Sequence, residues 1–180
     1  MVPLSKYIEL IVLIAIAIPT IIACVKGAPF VPTPIKAAKK MLALARLKPG
    51  EKIYDIGCGD GRLVHLASKE HKALAVGFEL SPLIYCIAKI CQPFWKSKAK
   101  IQFRDFRFQN LSDADVIVCY LLPNTLKTFQ EKFDRELKKG TRVVSYAFSI
   151  GEWKPIHKEQ RDPQKGIAPI WVYEIGKGNL

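Results

Sequence analysis

One short stretch of the chain combines a carboxylate with closely spaced glycines: Asp55-Ile56-Gly57-Cys58-Gly59-Asp60-Gly61. Apolar residues before it predict a strand and the residues after it predict a helix, so the glycines fall in the turn between the two. Glycines there let the backbone turn tightly and approach a ligand, while the start of the helix offers unpaired amides. The stretch therefore predicts a site for a nucleotide-like ligand.

The spacing of the glycines and the preceding acid indicate which ligand fits. In the dinucleotide fingerprint G-x-G-x-x-G, the third glycine comes one residue later than it does here. This chain has G-x-G-x-G, with Asp55 two residues before Gly57. A carboxylate so close to the ligand favours a positively charged amine and disfavours a diphosphate.

Two further acids follow the next predicted strands. Glu79 ends the run Ala75-Val76-Gly77-Phe78-Glu79, where a carboxylate can accept hydrogen bonds from both hydroxyls of a ribose. Asp105 follows the strand predicted at residues 100–103, where it can meet the exocyclic amine of an adenine. An isolated aspartate after a strand is also common as a turn or cap residue, and both interpretations of Asp105 stay open.

Short apolar runs alternate with helical patterns along the chain, which predicts βαβ units and a parallel α/β sheet. Thr33 is expected to cap the first helix of the domain, with Pro34 at its first position, and Ser81-Pro82 is expected to open another. Further helices are predicted at residues 61–70 and 126–137. The predicted strands are residues 52–56, 73–78, 100–103, 115–120, 141–147, 153–158 and 170–175.

The amino terminus is a different kind of sequence. Residues 10–25 contain no charge, and a helix over residues 7–26, at about 1.5 Å per residue, matches a hydrocarbon core of roughly 30 Å. A single transmembrane anchor is the favoured interpretation. A cleaved signal peptide, a lipoprotein signal ending at Cys24 and a buried core helix are the alternatives.

The distribution of lysines around this segment predicts its orientation. Four lysines follow it closely, Lys26, Lys36, Lys39 and Lys40, while only Lys6 precedes it. The positive-inside rule then places the remainder of the chain on the cytoplasmic side of the membrane.

The composition constrains the partners of the protein more weakly. Of the 180 residues, 28 are Lys or Arg and 16 are Asp or Glu, and this surplus suits nucleic acid, acidic lipid or an acidic protein surface. The five cysteines form no C-x-x-C pair, so neither a disulfide framework nor a metal site is indicated.

The glycine loop with its leading acid, the acid after strand two and the aspartate after strand three together resemble the class I methyltransferases that use S-adenosylmethionine. The likeness covers residues 33–176. The apolar segment, Pro29-Phe30-Val31-Pro32, Asp60-Gly61-Arg62 and the aromatic run at residues 146–153 resemble a narrower group. That group is the membrane-anchored lysine methyltransferases related to the enzyme acting on the ATP synthase c subunit.

This resemblance implies a Rossmann-like sheet of seven strands preceded by a single transmembrane helix, with S-adenosylmethionine as the cofactor. It divides the chain into an anchor at residues 7–26, a proline-containing junction with a first helix at 27–50, and a catalytic domain at 51–180. By position, the cofactor-binding residues are Asp55, Gly57, Cys58, Gly59 and Gly61 for the methionine end, Glu79 for the ribose and Asp105 for the adenine. The thiols of Cys58 and Cys119 are interpreted as packing groups.

Two aromatic residues are candidates for the acceptor pocket. Tyr120 lies at the end of strand four, where the acceptor normally sits, although a strand-end aromatic with a purely structural role explains it equally well. Trp153, together with Phe148 and Tyr146, is expected to form one wall of a channel that passes a lysine side chain and rejects planar bases.

A protein lysine at a membrane surface is therefore the favoured substrate, and the lipid bilayer is the expected partner of the apolar helix. Methyltransferases of base amines usually carry Asn/Asp-Pro-Pro-Tyr after strand four, whereas this chain has Cys119-Tyr120-Leu121-Leu122-Pro123. Nucleic acid is thus less favoured. Methylation of RNA or of a small molecule, and a non-catalytic cofactor-binding scaffold, are the alternatives.

Overall fold

The computed structural model describes residues 3–26 and 29–177. The helices are α1 (Leu4–Lys26), α2 (Ile35–Leu44), α3 (Arg62–His71), α4 (Pro82–Trp95) and α5 (Pro123–Glu136). The strands are β1 (Lys52–Ile56), β2 (Leu74–Glu79), β3 (Lys100–Phe103), β4 (Val116–Cys119), β5 (Arg142–Tyr146), β6 (His157–Glu159) and β7 (Ile170–Glu174).

The seven strands form one sheet in the order β3-β2-β1-β4-β5-β7-β6. The first five strands are parallel, and β7 runs antiparallel to both β5 and β6. The order of the strands reverses between β1 and β4, which places a crevice at the carboxyl ends of these two strands. The predicted seven-strand α/β sheet is confirmed.

Both faces of the sheet are covered, which explains why its central strands are almost continuously apolar. On one face, Ile53, Val118 and Val144 pack against α2 and α3. On the other face, Ile56 and Ile117 pack against α5 in a second core cluster.

Helix α2 belongs to the first of these cores, because Ala37, Ala38, Met41 and Leu42 are buried in it. The side chain of Arg142 in β5 also donates hydrogen bonds to the carbonyls that follow α2. A boundary at residue 50 therefore does not separate two packing units. The N-cap of α2 is Pro34, with no side-chain cap, so the expectation that Thr33 caps it is wrong.

The other predicted helix start is confirmed, since Ser81 accepts a hydrogen bond from the amide of Ile84 at the start of α4. The strand predicted at residues 153–158 is largely wrong, because β6 begins only at His157. Trp153 instead closes a turn onto the carbonyl of Ile150, and Pro155, which cannot donate to a ladder, follows it.

Helix α1 is long and apolar enough to cross a membrane. Its residues Leu4–Ile22 have a mean hydropathy of 2.0, and none of the 18-residue window is buried. Burial of this segment as a core helix is therefore excluded. Thr20 near its end lies beside α4, with its hydroxyl oxygen 3.4 Å from that of Ser81.

Candidate active site

A cleft, called the main cleft below because the predicted cofactor residues line it, lies at the carboxyl ends of β1, β2 and β4, where the strand order reverses. Its walls come from the glycine loop after β1, the turn after β2 and the segment that follows β4. A fourth wall is residues 29–33, which connect α1 to α2 and are called the strap below. Sequence positions far apart along the chain therefore meet at one crevice.

The glycine loop keeps a shape that only glycine adopts without strain. Gly57, Gly59 and Gly61 have φ angles of 81°, 58° and 80°. The loop is fixed to the neighbouring strand, because the amides of Gly57 and Cys58 both donate to the carbonyl of Phe78 at 3.0 Å. The loop is thus preformed for close approach of a ligand.

The strap lies directly on this loop. A Cβ atom on Gly59 would come within 2.6 Å of the Phe30 ring. Arg62 holds the strap in place: its Nη1 donates to the carbonyl of Thr33 at 3.0 Å, and its guanidinium binds the carboxylate of Asp60 with an Nη2–Oδ2 distance of 2.6 Å. The sequence alone assigns no role in the site to Phe30 or Arg62. Both roles depend on contact between residues 29–33 and the glycine loop, which arises only in the folded chain.

Asp55 is the buried acid of the cleft, with 6% of its surface exposed. Its burial, followed by the negative charges of Glu79 and Asp60, raises the pKa of Asp55 to about 8. A cationic ligand group beside Asp55 would offset this repulsion and favour the ionised carboxylate. The charge pattern of the cleft therefore suits an amine or a sulfonium.

Glu79 joins the glycine loop to the start of α4. One carboxylate oxygen accepts from the amide of Gly59 at 2.9 Å, and the other accepts from the amide of Ser81 at 2.8 Å. Burial raises the pKa of Glu79, while these amide hydrogen bonds act in the opposite direction. The carboxylate is fixed in orientation and lines the cleft, as a ribose-binding acid must.

Asp105 also lines the cleft, and it serves as a cap at the same time. Asp105 is the N-cap of the short 3-10 turn Phe106–Phe108: its carboxylate accepts from the amide of Arg107 and also forms an ion pair with the Arg107 guanidinium. The structure thus confirms the cap, and it places Asp105 at the cleft. Contact with an adenine amine remains a prediction.

A second cleft adjoins the first one at Tyr120, which lines both. Its walls are Val31 and Pro32 of the strap on one side and the loop between β6 and β7 on the other. Tyr146 crosses Tyr120 edge-on, with 4.9 Å between the ring centroids, and accepts a hydrogen bond from the amide of Ala168. The predicted acceptor residue therefore lies where a second substrate could reach the main cleft.

Trp153 does not line either cleft, so the channel wall expected from the sequence needs correction. Its buried indole packs against Phe133 and Tyr173 on the α5 side of the sheet and donates to Asp134 at 3.2 Å. Phe148 packs against the same core cluster. Of the three aromatic residues proposed for the wall, only Tyr146 faces the second cleft.

Cys58 and Cys119 are buried packing residues that also line the cleft, and contact between Cys58 and the cofactor remains a prediction. Cys58 fills the space above Gly77, where an added Cβ atom would come within 2.6 Å of its sulfur. Cys119 is buried in β4, and its burial raises the pKa of the thiol to about 12. Neither thiol is therefore ionised near neutral pH, as a nucleophilic cysteine would be.

The preformed glycine loop, the buried acid and the oriented Glu79 fit S-adenosylmethionine, which carries both an amine and a sulfonium cation. Together with the strand order, they define a class I methyltransferase that uses this cofactor. Residues 55–157 match the family of ANTKMT methyltransferase domains, and the chain belongs to that family.

Two curated proteins show how far the likeness extends. A protein-lysine N-methyltransferase of Saccharolobus islandicus is 34% identical over 83% of this chain and 94% of its own length. The lysine N-methyltransferase of the ATP synthase c subunit from Homo sapiens is 30% identical over 81% of this chain. The match spans only 61% of the human protein, less than two thirds of its length.

Among solved structures, an RNA methyltransferase from Salinibacter ruber in complex with S-adenosyl-L-homocysteine superposes with a TM-score of 0.76. It is 30% identical to this chain, and the match covers 82% of this chain and 95% of that one. The names of these relatives thus include both protein and RNA methyltransferases.

Proposed function

We propose that this protein transfers a methyl group from S-adenosylmethionine to the amine of a lysine side chain in a protein substrate. The observation that carries the proposal is the second cleft, which reaches the cofactor cleft at Tyr120 between two proline-containing walls. Its walls hold Pro32, Pro34, Pro163 and Pro169. The names of the two curated relatives support a lysine acceptor.

The protein contributes to this reaction mainly by alignment. The cofactor supplies an activated methyl group on a sulfonium, and transfer needs an in-line nucleophile and exclusion of water. Asp55 is suited to bind the amine of the cofactor, Glu79 its ribose and Asp105 its adenine. Phe30, packed on Gly59, covers the loop from the solvent side.

Tyr120 is suited to position the acceptor amine and not to deprotonate it. Burial, and then the neighbouring Tyr146, raise the pKa of Tyr120, so its phenol stays protonated near neutral pH. A phenol oxygen can accept a hydrogen bond from an incoming amine and orient its lone pair. The acceptor proton then leaves to water, aided by the nearby sulfonium, which disfavours an ammonium.

The experiment is methyl transfer from labelled S-adenosylmethionine to protein extracts and to RNA, followed by mass spectrometry of the modified residues. We expect label on lysine, and we expect Tyr120→Ala to raise the KM for the protein substrate more than the KM for the cofactor. Glu131→Ala on the exposed side of α5 is the matched control. Label confined to RNA would overturn the lysine assignment.

RNA methylation is the second candidate, and two observations favour it. The chain carries a formal net charge of +12, and the Salinibacter ruber structure is named as an RNA methyltransferase. The same labelling experiment decides between the two, because RNA and protein are offered together.

We further propose that α1 anchors the protein in a membrane with its catalytic domain on the cytoplasmic side. The length, hydropathy and exposure of Leu4–Ile22 support a span, and the lysines after it support the orientation. Alkaline carbonate should leave the protein in the membrane pellet, and protease added to the cytoplasmic side should digest the domain. Release by carbonate, or protection of the domain, would contradict this arrangement.

A further inference from the structure

We propose that helix α4 lies in the membrane interface, so that the domain contacts the lipid directly as well as through its anchor. The inference rests on the proposed membrane span of α1, and it adds a second contact surface to it. The observations concern three features: an apolar stripe, its charged surroundings and its position beside α1.

The apolar stripe runs along the outer side of α4. Leu83, Ile87, Ile90 and Phe94 are spaced by four, three and four residues, which aligns them on one side of a helix. Their exposed fractions are 46%, 38%, 70% and 81%. The opposite side is fixed to the domain, since Ala88 is buried in the core and Tyr85 and Trp95 pack against it.

The charges on and next to α4 suit an anionic lipid surface. Between Glu79 and Asp105 the chain contains no acidic residue, while Lys89 lies within α4 and Lys96 directly follows it. A helix with one apolar side, flanked by lysines, is the usual form of a segment that lies in the headgroup region. Each basic residue near an anionic membrane adds to the attraction.

The position of α4 fixes its height relative to the membrane. Thr20 belongs to the apolar segment Leu4–Ile22, and its hydroxyl lies 3.4 Å from that of Ser81, the N-cap of α4. Ala17 and Pro19 of the same segment are also partly covered. If Leu4–Ile22 spans the bilayer, α4 therefore starts at the depth of the last turn of this segment, which brings the start of the apolar stripe to the lipid surface.

The test measures lipid exposure of α4 in the full chain, reconstituted in vesicles of equal parts phosphatidylcholine and phosphatidylglycerol. Cys86 is exposed on α4 and accepts a spin label, while Cys58 and Cys119 are buried. Replacing Cys24 and Cys91 by serine leaves Cys86 as the reactive thiol. Labels at Leu13→Cys in α1 and at Lys127→Cys in α5, each with Cys86→Ser, serve as lipid and water references.

The accessibility of each label to oxygen is compared with its accessibility to a water-soluble nickel complex. We expect the oxygen-to-nickel accessibility ratio at Cys86 to be severalfold higher than the ratio at Lys127→Cys. In the double variant Ile90→Gln/Phe94→Gln, the ratio at Cys86 should fall to the ratio at Lys127→Cys. This surface variant should bind S-adenosylmethionine as the parent does, which verifies its fold.

The outcomes separate the two proposals. A lipid-like ratio at Leu13→Cys with a water-like ratio at Cys86 would overturn the α4 contact and leave the anchor standing. A water-like ratio at Leu13→Cys would overturn the anchor itself, and the α4 contact with it. If the label at Cys86 were shielded from both reagents, α4 would be covered by protein, for instance a second copy, and the lipid assignment would be wrong.

Discussion

The two clefts that meet at Tyr120 are built in different ways. Most of the chemistry of the cofactor cleft lies in seven consecutive residues, Asp55 to Gly61, and in two acids at the ends of the next strands. The second cleft is assembled from the strap, the ends of β4 and β5 and the loop between β6 and β7. A local motif thus specifies the cofactor, whereas the acceptor pocket depends on how distant segments pack.

The largest expected effect comes from filling the glycine loop. Gly59→Ala should weaken cofactor binding by about tenfold to a hundredfold, because the residue has a φ of 58° and its Cβ atom would meet Phe30. Calorimetric titration with S-adenosylmethionine measures the effect. Gly140→Ala is the matched control, since that glycine also has a positive φ but open space around it.

Gly140→Ala should lower the free energy of unfolding without changing cofactor affinity. Equal losses of affinity in the two variants would show that backbone strain alone, and not contact between strap and loop, sets the effect. The contact between Phe30 and Gly59 would then not contribute to cofactor affinity.

The next effect is a pH dependence carried by Asp55. The pKa of about 8 means that the free carboxyl is largely protonated at pH 6, and a bound cation favours its ionised form. Affinity for S-adenosylmethionine should therefore rise between pH 6 and 8, by at most about tenfold per pH unit. Calorimetry in buffers with different heats of ionisation should record proton release below pH 8.

The same pKa has a consequence for the free protein. Because the pKa of Asp55 is raised on folding, the unfolded chain ionises first, and this residue lowers the free energy of unfolding as pH rises from about 4 to 8. Asp55→Asn should remove that decline and the proton release together. If the free energy of unfolding declined equally with pH in the parent and in the variant, the decline would come from a group other than Asp55.

A smaller effect is expected where the two clefts share a wall. Arg62→Leu removes the hydrogen bond to Thr33 and the ion pair with Asp60, and so releases the strap. We expect a loss of about threefold to tenfold in kcat/KM for both substrates, or about 0.7 to 1.4 kcal/mol, in line with the loss of one ordinary hydrogen bond. An effect on the cofactor alone would mean that the strap does not shape the second cleft.

The smallest kinetic effect is expected outside both clefts. Trp153→Phe should lower the free energy of unfolding by about 1 kcal/mol, because the indole is buried between Phe133 and Tyr173, and should leave both KM values unchanged. Steady-state kinetics with thermal unfolding checks this. A raised KM for the acceptor would mean that Trp153 does contribute to the acceptor pocket, as the sequence predicts.

This contrast explains what the sequence could predict. The parallel strands, the glycine loop and the positions of Asp55, Glu79 and Asp105 follow from patterns within a few residues of each other, and the structure places all three acids at one cleft. The reason for a glycine at position 77 could not be predicted from the residues around it. A side chain there would collide with Cys58, which lies in the loop after the neighbouring strand.

The acceptor side could not be predicted in the same way. Tyr146 and Trp153 look equivalent in one aromatic run, yet they pack on opposite faces of the sheet because β5 ends at Tyr146 and the chain then turns. The contact between Phe30 and Gly59 joins two segments that lie far apart along the chain. No periodicity within either segment specifies such a contact.

The link between Thr20 and Ser81 has one more consequence. Ser81 donates to Glu79 through its amide and contacts Thr20 of α1 through its hydroxyl, so this serine bridges the proposed anchor and the acid proposed to bind the ribose. If α1 spans the bilayer as proposed, so short a connection keeps the catalytic opening at one height above the bilayer. A lysine would then be selected first by its distance from the membrane plane, and only afterwards by the residues beside it.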